Sequence, residues 1–264
     1  MVASLFLGVD MTAPQLVPVA GGAACVFTER RPGRETANQD AVAVIPGADG
    51  CGVLAVADGL GGLPAGDTAS GMTLQHLAGS AAGQAGDLQR EAVLSGLESA
   101  NKAVLDHGQG SGTTIAVASI DNETVRTTIV GDSMVLVCGQ RGKVKYQSVP
   151  QSPVGYAEAS GMLDDDEAMF HAERHLVSNM VGMTGMHVEV GPPLRLAPRD
   201  TLVIGSDGLF DNLYVGEVID LVRAGPLSAA AARLLDACRQ RMLSESGSHP
   251  HKPDDLAFIL YRRQ

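Results

Sequence analysis

The chain has 264 residues, 45% hydrophobic but only 3% aromatic and without Trp, so one large domain with a core of Val, Leu, Ile, Ala and Met is expected. A formal charge of −11 argues against nucleic acid or an anionic membrane as the main partner, since both reward clustered Lys and Arg, and it favours cations. Cys25, Cys51, Cys138 and Cys238 lie far apart with no C-x-x-C pair, which argues against a thiolate zinc site and a small disulfide scaffold and fits a reducing cytoplasm.

Residues 1–21 are mildly apolar but lack a basic start, carry Asp10 and are broken by Pro14 and Pro18. They read as a flexible arm or edge strand preceding a domain over 22–264, and not as a signal peptide or membrane span. Strand-like runs follow at 23–28, 41–45 and 53–57. A helix is expected over 87–107, where Val93, Leu97, Ala100 and Val104 recur at helical spacing. Further strands are expected at 113–119, 124–130 and 135–138, with Asp121-Asn122 and 139–142 as tight connections of an antiparallel meander.

From about 148 to 186 strand signals fade and Met162, Met169, Met180, Met183 and Met186 accumulate, giving a flap-like segment with a core-facing helix expected over 164–180. A strand at 201–205 follows, then a helix capped by Ser228, striped by Ala231, Leu234, Cys238 and Met242 and stopped at Gly247. A strand at 256–261 comes last. Helices outside a strand-rich middle predict an α+β sandwich, sheets covered by helices.

Four acidic residues share one context: Asp40 at the start of a strand, Asp58 and Asp207 just after strands, and Asp254 just before one. Asp58 opens Asp58-Gly59-Leu60-Gly61-Gly62, where glycines let the backbone approach an ion and expose a carbonyl as a further ligand. Oxygen ligands without His or Cys suit Mg²⁺ or Mn²⁺ better than zinc. A single Asp-Gly, however, is far more often a turn than a metal ligand, so spacing alone leaves both readings open.

The runs RETANQD (34–40), VADGLGGLPAGDTAS (56–70), GSGTTIAVA (110–118), VGDS (130–133), LVIGSDGLFDNL (202–213) and PDDLAFIL (253–260) stand in one order along the chain. Together they resemble the metal-dependent protein phosphatase family, also called protein phosphatase 2C. The resemblance implies a four-layer α/β/β/α sandwich of two mainly antiparallel sheets flanked by helices. It implies a dinuclear Mg²⁺ or Mn²⁺ site that activates water for hydrolysis of phosphoserine and phosphothreonine in proteins, such as the targets of a cognate Ser/Thr kinase. By motif, Asp58 bridges both ions, Asp40 acts largely through bound water, the Gly59 carbonyl joins one ion, and Asp207 and Asp254 hold the other. Asp132 matches the position of a weaker third ion, and Arg34 is the expected phosphate clamp. A cytoplasmic monomer with neither nucleic acid nor membrane as partner is expected.

The sequence departs from the family pattern at three points. Arg34 lies six residues before Asp40, one more than is usual, which leaves Arg31 as a second candidate clamp. Leu60 and Leu63 stand where relatives carry His, so the proton for the leaving oxygen must come from elsewhere. Met134 replaces the common Arg after Gly-Asp-Ser. His171 and His175 have i, i+4 spacing but no third zinc ligand and read as surface and packing residues, with Arg174 bracing the flap. The rival reading is a phosphoprotein-binding pseudophosphatase of the same fold with little turnover.

Overall fold

The structure, a computed structural model, describes residues 2–60, 65–244 and 249–264. Its strands form two sheets in which every described pairing is antiparallel. One sheet runs, in spatial order, β1 (Ser4–Leu7), β4 (Asp40–Pro46), β5 (Cys51–Gly59), β6 (Thr113–Asp121), β7 (Thr124–Val130) and β10 (Glu189–Val190), with β11 (Leu194–Arg195) also on β7. The other runs β2 (Gln15–Val19), β3 (Gly22–Glu29), β13 (Leu256–Arg263), β12 (Thr201–Gly205), β8 (Met134–Cys138) and β9 (Val144–Gln147).

The strand sequences are apolar almost without interruption because both faces of each sheet are covered. Inward, Val42, Val44, Leu54 and Val56 of the first sheet meet Val26, Val135, Ile204 and Ile259 of the second. Outward, Ala41, Ala43, Ile45, Val53 and Ala55 lie beneath α1 (Gly66–Ala81) and α2 (Gly86–His107). On the far side Phe27, Leu136, Val203 and Phe258 lie beneath α6 (Val215–Val222) and α7 (Leu227–Met242), with the rings of Phe27 and Phe258 stacked at 5.6 Å. The four layers expected from the resemblance are therefore present.

Every strand expected from sequence is present, most extended by a residue or two. The connections of the meander are tight: Asn122 (φ 52°) and Gly142 (φ 84°) take the left-handed conformation that Asn tolerates and Gly favours. Residues 4–7 and 15–19 are edge strands, one on each sheet. α1 has no sequence signal of its own, since its small residues give almost no apolar stripe; it is met closely by α2, where a Cβ on Gly96 would stand 3.1 Å from the Leu77 Cα of α1.

The helix expected over 164–180 is only α4 (Asp165–Met169), preceded in the flap by α3 (Pro153–Ala159). Asp164 and Glu167 close a capping box at its start, but Phe170 and Leu176 are 55% and 41% exposed, so no core lies beneath the apolar spacing to extend it. The Arg174 guanidinium donates to the Met169 carbonyl just past the last turn. α7 starts one residue before the expected cap Ser228, with Pro226 at the cap, and ends at Met242. The expected stop at Gly247 lies outside the described residues, as do Gly61, Gly62 and Leu63.

Candidate metal centre

Strand register assembles the site. On β4 and β5 Asp40 stands opposite Asp58, and on β5 and β6 Asp58 stands opposite Thr114. In the other sheet β12 and β13 pair Gly205 with Phe258, which brings Asp207, just past one strand, to the same end as Asp254 and Asp255, just before the other. The sheet ends enclose a cleft of about 140 Å³ lined by Asp58, Gly59, Asp132, Asp207, Lys252 and Asp254, with Leu60 and His175 also on its wall. A larger hollow of about 320 Å³ beside α2 and β7, lined by Arg90 and Arg126, shares none of these residues.

Close backbone approach fixes two of the glycines. A Cβ on Gly59 would stand 2.4 Å from the Gly66 carbonyl oxygen, and one on Gly208 only 1.9 Å from that of Asp255. Gly208 thereby lets the short helix α5 (Asp207–Phe210) sit against the entry to β13 and hold Asp207 beside Asp254.

The carboxylates carry more negative charge than the fold neutralises. Burial, then the charge of Asp255, pushes the Asp40 carboxyl well above the usual range, although Ser206 Oγ donates to its Oδ2 at 2.6 Å. Its Oδ1 is buried with no hydrogen-bond partner among the described residues. Burial, then Asp40 and Asp207, raises Asp58 strongly. Burial, then Asp207 and Asp211, raises Asp132 to about 8, and burial, then Asp207, raises Asp254 to about 6.

One cation stands among them. Lys252 Nζ donates to Asp207 Oδ2, lies 2.7 Å from Asp211 Oδ2 and is 3.5 Å from Asp254 Oδ2. Burial alone would lower its ammonium pKa, but the carboxylates of Asp207, Asp211 and Asp254 outweigh that and hold it above the ordinary lysine range. Among the described residues, no three His, Cys, Asp or Glu side chains converge on one point as they stand. The chemistry of the set nonetheless fits hard divalent ions: the donors are oxygens, Asp40 is buried and keeps an oxygen free, and the other carboxylates are half-buried.

The structure thus brings Asp40, Asp58, Gly59, Asp132, Asp207 and Asp254 to one end of the sandwich. Arg34 is exposed in the loop between β3 and β4 and is not on the cleft wall. The ends of that loop are tied to the site, since Asp255 accepts from the Arg31 and Gln39 N–H groups, each at 2.7 Å. His171 and His175 do not share a helix, and Arg174 does brace the flap, donating to the carbonyls of Met169 and His251. Sequence reasoning passed over Ser206, Asp211 and Lys252. Their signals were faint: a serine at a helix cap, an Asp four residues after Asp207, and a lysine two before Asp254.

The sequence profile described as Protein phosphatase 2C matches residues 30–249. A Streptococcus pyogenes protein named for the protein phosphatase 2C type is 29% identical over 140 residues, covering 50% of this chain and 56% of that protein, so the match spans little more than half of the curated relative. The Streptococcus agalactiae serine/threonine phosphatase superposes with a TM-score of 0.78 at 24% identity, covering 91% of this chain and 99% of that one. The catalytic domain of the serine/threonine protein phosphatase PstP, in complex with two manganese ions, superposes with a TM-score of 0.68 at 21% identity, covering 90% and 96%.

Proposed function

The chain belongs to the protein phosphatase 2C family, and from that membership we propose that it hydrolyses phosphoserine and phosphothreonine in proteins. Two Mn²⁺ or Mg²⁺ ions are assigned to Asp40, Asp58, the Gly59 carbonyl, Asp207 and Asp254, and a weaker third to Asp132. When bound, they would lower the pKa of attacking water and neutralise the transferring phosphoryl oxygens. The observation that carries the reading is the gathering of Asp58, Asp132, Asp207 and Asp254 on one small cleft, with Asp40 opposite Asp58, where burial and mutual repulsion leave negative charge for a cation to meet. The manganese pair of the related PstP domain supports the ion class.

The chain's own groups do the positioning. Ser206 holds one oxygen of Asp40 and leaves the other free. Asp255 straps the loop that bears Arg31 and Arg34, which supports a guanidinium from that loop as the phosphate clamp. Substrates are phosphoproteins made by a Ser/Thr kinase, and the setting is a cytoplasmic monomer. Among the described residues no helix is long and apolar enough to cross a membrane, and the four cysteines are free and buried, as suits a reducing compartment. The test is phosphate release from a phosphothreonine peptide: turnover should require added Mn²⁺ or Mg²⁺ and stop in EDTA. Full activity in EDTA, or none with either ion near neutral pH, overturns the reading.

A further inference from the structure

The acidic cleft already contains a cation that the phosphatase chemistry does not use. Lys252 has a side chain 19% exposed, and its ammonium meets three carboxylates, those of Asp207, Asp211 and Asp254. Two of the three are assigned above as ligands of one ion; Asp211 is not. The backbone beneath the lysine is fixed, because the buried Asn212 accepts from the Lys252 N–H at 2.9 Å and donates to the Lys252 carbonyl at 2.8 Å and to that of Gly208 at 2.9 Å. The side chain is not so constrained, being a point charge on a flexible four-carbon stem with no planar fork to match one carboxylate geometry.

We propose that Lys252 is an internal counter-cation that competes with a divalent ion for Asp207 and Asp254, retreating onto Asp211 when the ion binds. Two observations converge on this. The ammonium contacts both carboxylates that the ion needs. A third carboxylate outside the ligand set stands 2.7 Å away to receive it. The exchange makes no covalent change: one ammonium leaves two carboxylates, and one divalent ion takes them. It sets a threshold for metal, since the free protein is already partly neutralised and the ion must displace a tethered competitor.

The inference rests on the metal-site reading above, and the experiment separates the two. Protein stripped with a chelator is titrated with Mn²⁺ by calorimetry, as wild type and as K252Q. The variant should bind at least one Mn²⁺ about tenfold more tightly, because the competing charge a few ångströms away is gone. Its Tm in EDTA should fall below wild type and recover relative to it in saturating Mn²⁺. If wild type takes up no Mn²⁺, the metal-site reading falls and the inference falls with it. If wild type binds and K252Q binds no more tightly, the inference alone is overturned, and Lys252 then organises the ligands instead of competing for them. Should K252Q fail to fold, wild type still answers through amine acylation read by mass spectrometry: Lys252 should be labelled faster in Mn²⁺ than in EDTA, and equal or slower labelling overturns the proposal.

Discussion

At the scale of single residues, Leu60 lines the cleft at a place where the resemblance leads one to expect an imidazole, and His175 shares the same wall. A positioned acid typically contributes about 10²- to 10⁴-fold to expulsion of a poor leaving group. Aryl phosphates should therefore be hydrolysed faster than phosphoserine peptides, with rates that depend steeply on leaving-group pKa, and L60H should narrow the gap. A flat dependence, with chemistry shown to limit turnover, would instead make His175 the proton source, and H175A should then open the gap. The aspartates were legible in the sequence because each sits in a short motif and the motifs stand in one order, with Asp58, Asp132 and Asp207 beside glycine. Lys252, Asp211 and Ser206 were not, because their roles come from contacts across 45, 41 and 166 residues that no local pattern encodes.

At the scale of elements, the site depends on where strands stop and on the strap that closes over them. Asp255 is 6% exposed and accepts two backbone N–H groups from the ends of the loop between β3 and β4. Each charge-assisted bond contributes about 1.5–3 kcal/mol, which outweighs the relief of repulsion toward neighbouring aspartates. D255A should lower stability by about 2 kcal/mol, roughly 4–8 °C in Tm for a domain of this size, and loosen the loop that bears Arg34. Thermal melts, with amide exchange at Arg31 and Gln39, would check it; an unchanged Tm would mean that the strap does not hold the loop. Strands were readable from sequence because two-sided burial leaves long apolar runs. α1 and the shortened α4 were not, because the first is rich in small residues that leave it almost no apolar stripe and the second lacks a core beneath its apolar side.

At the scale of the whole molecule, the acidic end of the sandwich makes stability depend on pH. Carboxyls whose folded pKa is raised above the unfolded value contribute stability that is full below the ordinary carboxylate range and lost as pH rises through the folded pKa. With Asp254 at about 6 and Asp132 at about 8, and Asp40 and Asp58 also raised by burial, metal-free protein should lose Tm progressively from about pH 4 to about pH 8. Saturating Mn²⁺ should flatten or reverse the slope, because the ion binds the ionised carboxylates and draws stability toward higher pH. A metal-free Tm that climbs over this range would show that the charge is already balanced. Fold class was legible from strand count and meander turns, but the order of strands in the second sheet was not, since β13 pairs with β3 across most of the chain.

That pairing has a consequence for how the protein is made. β3 is translated long before β13, yet its register runs the whole length of that strand, from Leu256 opposite Glu29 to Arg263 opposite Gly22. During synthesis the early half of the second sheet must wait with one edge unsatisfied, and Asp254 and Asp255 enter the acidic end only when β13 inserts. Contacts of such sequence separation slow folding, because the loop must close before they repay it. On the ribosome the acidic end is accordingly completed only after the sheet that carries Asp40 and Asp58 has had time to form.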